Sequence, residues 1–129
     1  MAREIETKCI HLEEEENSIN HYGAISYPIY QSATYAHPGV GQSTGYDYSR
    51  LQNPTREHLE KTVASLENGI DALAFSSGMA AITLMMELFK PGDHLIVDAD
   101  LYGGSIRLFN HVSEKNGIEF SSVDCHKKN

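Results

Sequence analysis

His94-Leu95-Ile96-Val97-Asp98 is a short apolar run, and Leu101-Tyr102-Gly103-Gly104 follows it. A helical pattern then covers Ser105–Lys115, and a second apolar run covers Ile118–Val123. Runs this short read as strands, and strand, helix, strand in that order predicts a βαβ unit with parallel strands. Ile106, Phe109 and Val112 fall on one side of the intervening helix, and Asn116-Gly117 supplies its C-terminal cap.

The same alternation extends upstream. Ala72-Leu73-Ala74-Phe75 fits a buried strand, and Gly78–Phe89 reads as an apolar helix ended by Lys90-Pro91-Gly92-Asp93. Before these, Asn53-Pro54 is a helix start, with Asn as N-cap and Pro at the first helical position. Leu59, Val63 and Leu66 recur at helical spacing as one apolar face, and Asn68-Gly69 stops the helix. A mainly parallel sheet is normally covered on both faces. Three strands and three helices are too few to cover themselves, and Lys127-Lys128-Asn129 follows directly on a strand. The expected fold is therefore an α/β domain that is incomplete.

Residues 1–50 differ. They show no sustained helical period, and Pro28, Pro38, Gly39, Gly41 and Gly45 interrupt them. Six of the seven tyrosines fall between Tyr22 and Tyr48. Two readings stay open: a segment that packs against another subunit, or a loop folded over its own core. The expected organisation is an N-terminal arm or inter-subunit segment, 1–50, followed by an α/β domain, 51–129.

The chain has 129 residues and a formal net charge of −8, which suits one modest soluble domain. An acidic balance excludes the basic surface that nucleic acids or anionic membranes require. Glu13–Glu16 form an acidic run that reads as a solvated helix face or loop. Cys9 and Cys125 are too distant in sequence for a metal motif or disulfide framework and read as buried thiols. The seven histidines form no metal pattern, and no metal is expected. The N-terminus lacks an apolar secretory segment, and the apolar stretch Met79–Phe89 is too short to span a membrane. A cytoplasmic location is expected.

Three strings carry candidate chemistry. Ser76-Ser77-Gly78-Met79 lies at a predicted strand-to-helix turn, where free amides and the helix dipole favour an anion. Gly78 lets a phosphate approach the backbone, and Ser77 adds a hydroxyl. Tyr48-Ser49-Arg50 places a phenol and a guanidinium two residues apart, on one side of an extended chain. Tyr102 lies past the C-terminal end of a predicted strand and offers a ring for stacking on a flat heteroaromatic ligand. Arg107, near the start of the next helix, is placed to meet an anionic substrate group. Taken singly, each also reads as a tight turn, a packed aromatic or a solvated arginine.

In order, Tyr46-Asp47-Tyr48-Ser49-Arg50, Asn53-Pro54-Thr55-Arg56, Leu66-Glu67, Ser77-Gly78-Met79-Ala80-Ala81, Gly92-Asp93 and Tyr102-Gly103-Gly104 resemble the Cys/Met-metabolism family of pyridoxal-phosphate (PLP) enzymes. These are the transsulfuration synthases and lyases. The segment His37-Pro38 and Gly41–Gly45, with Met79, is most similar to the cystathionine γ-synthase branch. The resemblance implies the large domain of an aspartate-aminotransferase-like PLP-transferase, an incomplete parallel sheet preceded by an extended arm. It implies that Tyr48 and Arg50 reach the phosphate of a neighbouring subunit's cofactor. Gly78 and Met79, with Ser77, would hold the phosphate in their own subunit, and Tyr102 would stack on the pyridine ring and act as the catalytic residue present. Arg107 matches a substrate-side arginine. Implied partners are a sulfur amino-acid or homoserine-ester substrate and further copies of the chain, as dimer or tetramer.

The family's Ser-x-Thr-Lys string, which carries the cofactor lysine, does not occur here, nor does its pyridine-pairing Asp. The chain therefore reads as an N-terminal part of such an enzyme, expected to be inactive alone. Alternatives are a fragment of a cystathionine β- or γ-lyase or methionine γ-lyase, and a non-catalytic fragment that pairs with a full-length relative.

Overall fold

A computed structural model describes residues 4–11, 24 and 26–127. Glu13–Glu16, Tyr22, Lys128 and Asn129 lie outside the described residues. The chain forms two compact units, Met1–Ala74 and Phe75–Asn129.

The first unit contains α1 (Ile5–Lys8) and α2 (Pro54–Leu66). Asn53 caps α2 as its sequence predicts: its Oδ1 accepts from the Thr55 amide at 2.9 Å, and Pro54 opens the helix. Asn68 takes the left-handed conformation, φ 54°, and the Gly69 amide reaches back to Ala64 O at 2.8 Å. That bond closes the helix end, so Asn68 makes the turn and Gly69 completes it. The arm is irregular but closed. Tyr35 N donates to Asp47 O at 3.1 Å and Ser49 N to Ala33 O at 2.9 Å, pairing residues 33–35 antiparallel with 47–49.

The expected apolar face of α2 is not buried: Leu59 is 54% and Val63 43% exposed, while Pro54 and Ala64 are the buried helix residues. Among the described residues, this unit has no apolar layer to receive that face. Polar contacts to the arm hold the start of α2 instead, as the site geometry below shows.

The second unit contains α3 (Gly78–Met86), β1 (His94–Asp98), α4 (Gly103–Leu108) and β2 (Glu119–Val123). After α3, the amides of Glu87, Leu88 and Phe89 bond three residues back, tightening the end of the expected longer helix. α4 continues into a widened turn, Phe109–Ser113, and a tight turn, Glu114–Asn116. Gly117 ends it with φ 79°. A Cβ there would be strained by that φ and would also lie 3.2 Å from Pro91 Cβ, a tight contact, so the backbone conformation favours glycine.

β1 and β2 are parallel, with Leu95 opposite Phe120 and Val97 opposite Ser122. Met86, Phe109 and Ile118 form the core, joined by Leu95, Val97 and Phe120. The Phe109 and Phe120 rings stack at 4.7 Å. The buried stripe of the α4 segment is Ser105, Phe109 and Ser113 rather than Ile106, Phe109 and Val112. The widened turn favours a spacing of four, and Ile106 and Val112 rotate outward.

Three further expectations need correction. Ala72–Phe75 is not a strand among the described residues, and Leu73 and Phe75 are exposed. The amides of Ala72 and Ala74 donate to the carboxylates of Asp71 and Glu60, at 2.9 and 2.8 Å, rather than to a strand ladder. The sheet accordingly has two strands, and its outer face is uncovered at Ile96, which is 70% exposed. Cys9 and Cys125 are exposed thiols, because one follows a four-residue helix and the other lies past the last strand. No described helix is long and apolar enough to cross a membrane.

Candidate functional site

In the second unit, candidate groups gather where α3 and α4 begin. Ser77 caps α3, its Oγ accepting from Ala80 N at 3.1 Å, and Ser77 O accepts from Ala81 N at 3.2 Å. The amides of Gly78 and Met79 have no acceptor among the described residues. Two unpaired amides at a helix N-terminus, with the dipole behind them, suit an anion. Gly78 leaves the approach open: a Cβ there would meet nothing within 4 Å.

Tyr102 immediately precedes α4 and is 72% exposed. Its ring lies against Gly104, where a Cβ would overlap the ring and come within 3.0 Å of Met79 Sδ. Met79 Sδ also lies 4.0 Å from Ser105 Oγ. Gly104 is therefore the seat on which the Tyr102 ring and the Met79 thioether meet. Of the two glycines after Tyr102, Gly104 carries this role, since a Cβ on Gly103 would meet nothing within 4 Å. The Met79 side chain and the Tyr102 ring are brought together at Gly104, and Ser77 and Gly78 adjoin Met79 in the chain. The turn before α3 follows no strand, whereas Tyr102 does follow the C-terminal end of β1.

In the first unit, Tyr48 and Arg50 are brought together by a turn, not by the extended chain their spacing suggested. The amides of Leu51 and Gln52 both donate to Tyr48 O at 2.9 Å, and Arg50 sits at the exposed tip. The Arg50 guanidinium lies over the Tyr48 ring, 5.1 Å from its centroid. Behind the turn, Ser49 is held at every polar atom. Its amide donates to Ala33 O, its Oγ donates to Ser32 O and accepts from Asn53 Nδ2 at 3.0 Å, and its carbonyl accepts from Arg56 Nη1 at 3.2 Å.

Nearby, the Tyr46 hydroxyl donates to the Glu57 carboxylate, which also pairs with Lys61 at 2.5 Å. Burial and then the Glu57 contact push the Tyr46 phenol far above its usual range. The Lys61 contact and then the Tyr46 hydroxyl hold the Glu57 carboxyl below its ordinary value.

Residues 6–129 match the model of the Cys/Met metabolism PLP-dependent enzyme family. The chain belongs to this family. It is 48% identical, over 97% of its own length and 34% of the relative's, to a cystathionine gamma-synthase/O-acetylhomoserine (thiol)-lyase of Bacillus subtilis. It is 54% identical to a cystathionine gamma-lyase of the same organism, over 82% of this chain and 28% of that one. The crystal structure of the Xanthomonas oryzae cystathionine gamma synthase in complex with cystathionine matches at a TM-score of 0.85 and 34% identity, covering 98% of this chain and 33% of that one. The chain thus spans about a third of the length of the curated relatives it matches.

Family members depend on pyridoxal phosphate, and the residues present fit part of that group. In the second unit, the Gly78 and Met79 amides, unpaired among the described residues, suit its phosphate, and the exposed Tyr102 ring suits its pyridine. In the first unit, taken by itself, Arg50 is a cation with no ion pair among the described residues. Arg107 is exposed in the last turn of α4, with no ion pair among the described residues. No group of metal-ligating side chains occurs among the described residues. Sequence reasoning missed Arg56 and Ser49. One signal was available: Arg56 is the third residue of α2, where the helix dipole disfavours a cation unless acceptors surround it.

Proposed function

We propose that the protein carrying this chain is a transsulfuration enzyme that joins an activated homoserine ester to cysteine by γ-replacement, and that this chain is its N-terminal, cofactor-gripping part. The Gly78 and Met79 amides, without an acceptor among the described residues, and the Tyr102 ring that meets the Met79 side chain at Gly104, in a chain of this family, carry the reading. Residues 51–129 form the first part of the PLP-binding domain, and 1–50 form the arm. When bound, the cofactor supplies an electron sink for bond cleavage at the substrate.

The chain's own residues bind and orient. Gly78 and Met79 donate backbone hydrogen bonds to the phosphate, with the Ser77 hydroxyl beside them. The Tyr102 ring stacks on the pyridine face, and its phenol holds or moves a proton at the substrate amine. Tyr48 and Arg50 reach the phosphate of a neighbouring copy in a cytoplasmic homo-oligomer, and Arg107 faces the substrate's anionic end. The resemblance around His37–Gly45 favours synthesis over lysis.

Two measurements test this. Pyridoxal 5′-phosphate should bind about tenfold or more tightly than pyridoxal, the difference charge-assisted phosphate contacts supply. Equal affinities would remove the phosphate site. With the protein as its gene encodes it, O-acylhomoserine and cysteine should yield cystathionine. Cleavage of cystathionine without its synthesis would reassign the protein to the lyases.

A further inference from the structure

Arg50 and Arg56 lie six residues apart in one segment, yet their surroundings are opposite. Arg50 is exposed, with only the Tyr48 ring beside its guanidinium among the described residues. Every edge of the Arg56 guanidinium is engaged. Nη1 donates to Ser49 O at 3.2 Å, Nη2 to Leu51 O at 2.6 Å, and Nε faces Glu60 Oε1 at 3.6 Å. Glu60 is itself fixed, since the same oxygen accepts from the Ala74 amide at 2.8 Å.

We infer that Arg56 is a positioning residue: it clamps the Tyr48–Gln52 turn so that Arg50 projects toward an anion. The physical case has two parts. Carbonyl oxygens on either side of Arg50 would repel a phosphate approaching the turn if they were left bare. Arg56 takes both, Ser49 O and Leu51 O, as hydrogen-bond acceptors, while Tyr48 O is closed by the Leu51 and Gln52 amides. The turn is also made rigid before any ligand arrives, so less side-chain and backbone freedom is lost on binding. A planar fork that spans two carbonyls is a task for arginine, and lysine would reach one. The inference rests on the reading that Tyr48 and Arg50 grip a phosphate.

The test uses the intact chain, inorganic phosphate as probe, and the arginine side-chain NMR resonances. In the wild type, phosphate should shift the Arg50 Nε–H resonance saturably and leave that of Arg56 in place, with Arg56 protons exchanging slowly. If the Arg56 resonance responds instead, the assignment of roles is wrong, and this comparison needs no variant. Arg50→Met should abolish the phosphate-induced shifts of the Ser49, Leu51 and Gln52 amides in the turn, while any shift at the Gly78 and Met79 amides, which belong to a separate candidate site, is left in place. Should the turn amides respond to phosphate in Arg50→Met as in the wild type, the underlying grip is refuted rather than the clamp alone. Arg56→Met should weaken phosphate binding, read at the Arg50 Nε–H, about tenfold, the scale of one charge-assisted hydrogen bond, and Arg56→Lys should recover part of it. A purely structural role predicts a lowered melting temperature in both variants with unchanged phosphate affinity in the folded fraction. That outcome would overturn the inference.

Discussion

The two units hold their candidate binding residues by opposite means. Around Gly78 and Tyr102, the helices α3 and α4 and the strands lean on an apolar core of Met86, Phe109 and Ile118. Around Arg50, almost nothing apolar is buried among the described residues. Leu59 and Val63 stay exposed, and the turn is fixed by Ser49, Asn53 and Arg56 through hydrogen bonds. An apolar core tolerates no loss of volume, but its energy does not depend on pH. A polar clasp is cheaper to build on a small segment, yet each member leaves partners unsatisfied when it goes. Similar chemistry on one chain is thus exposed to different kinds of damage.

The sharpest way to break the contrast is Phe109→Ala. It should cost about 3 kcal/mol, within the range for emptying an aromatic core position, and should loosen the β1–β2 unit in chemical denaturation. A loss under about 1 kcal/mol would mean that the core does not hold this unit. Asn53→Ala comes next, at about 1–2 kcal/mol. It removes the α2 cap together with bonds to Tyr30 O and Ser49 Oγ, at 3.2 and 3.0 Å. Hydrogen exchange should then accelerate at the Ser49 amide and not in β1. Equal acceleration in both would erase the distinction between the units.

The smallest effect is that of acid on Glu57. Its folded pKa is depressed below the ordinary 4.5, so its contribution is complete above that pH and is lost as pH falls through the folded value. Glu57→Gln should flatten the acid limb of the first unit's melting profile. An unchanged limb would discount the Tyr46–Glu57–Lys61 contacts.

Much of this was legible in the sequence where local rules are strong. The strand at His94–Asp98 was read with its observed bounds, because an apolar run between turn residues has few other conformations. Asn53-Pro54 and Asn116-Gly117 marked helix ends through capping and left-handed geometry, which are local properties. Ser77-Gly78-Met79 was visible for the same reason. Ala72–Phe75 misled because strand formation needs a partner, and its Ala72 and Ala74 amides found carboxylates. The α2 face misled because helical periodicity reports amphipathicity, not whether another layer covers it.

By itself, then, the sequence determined where α2 and α3 begin, the glycine stop at Gly117, the parallel strand–helix–strand unit, the family and the residue types able to hold a phosphate and a ring. Those follow from spacing, capping and motif order along the chain. Only the tertiary structure decided which arginine is available. Arg50 and Arg56 are alike in type and close in sequence, but a guanidinium is free or engaged according to the carbonyls and carboxylates folded around it.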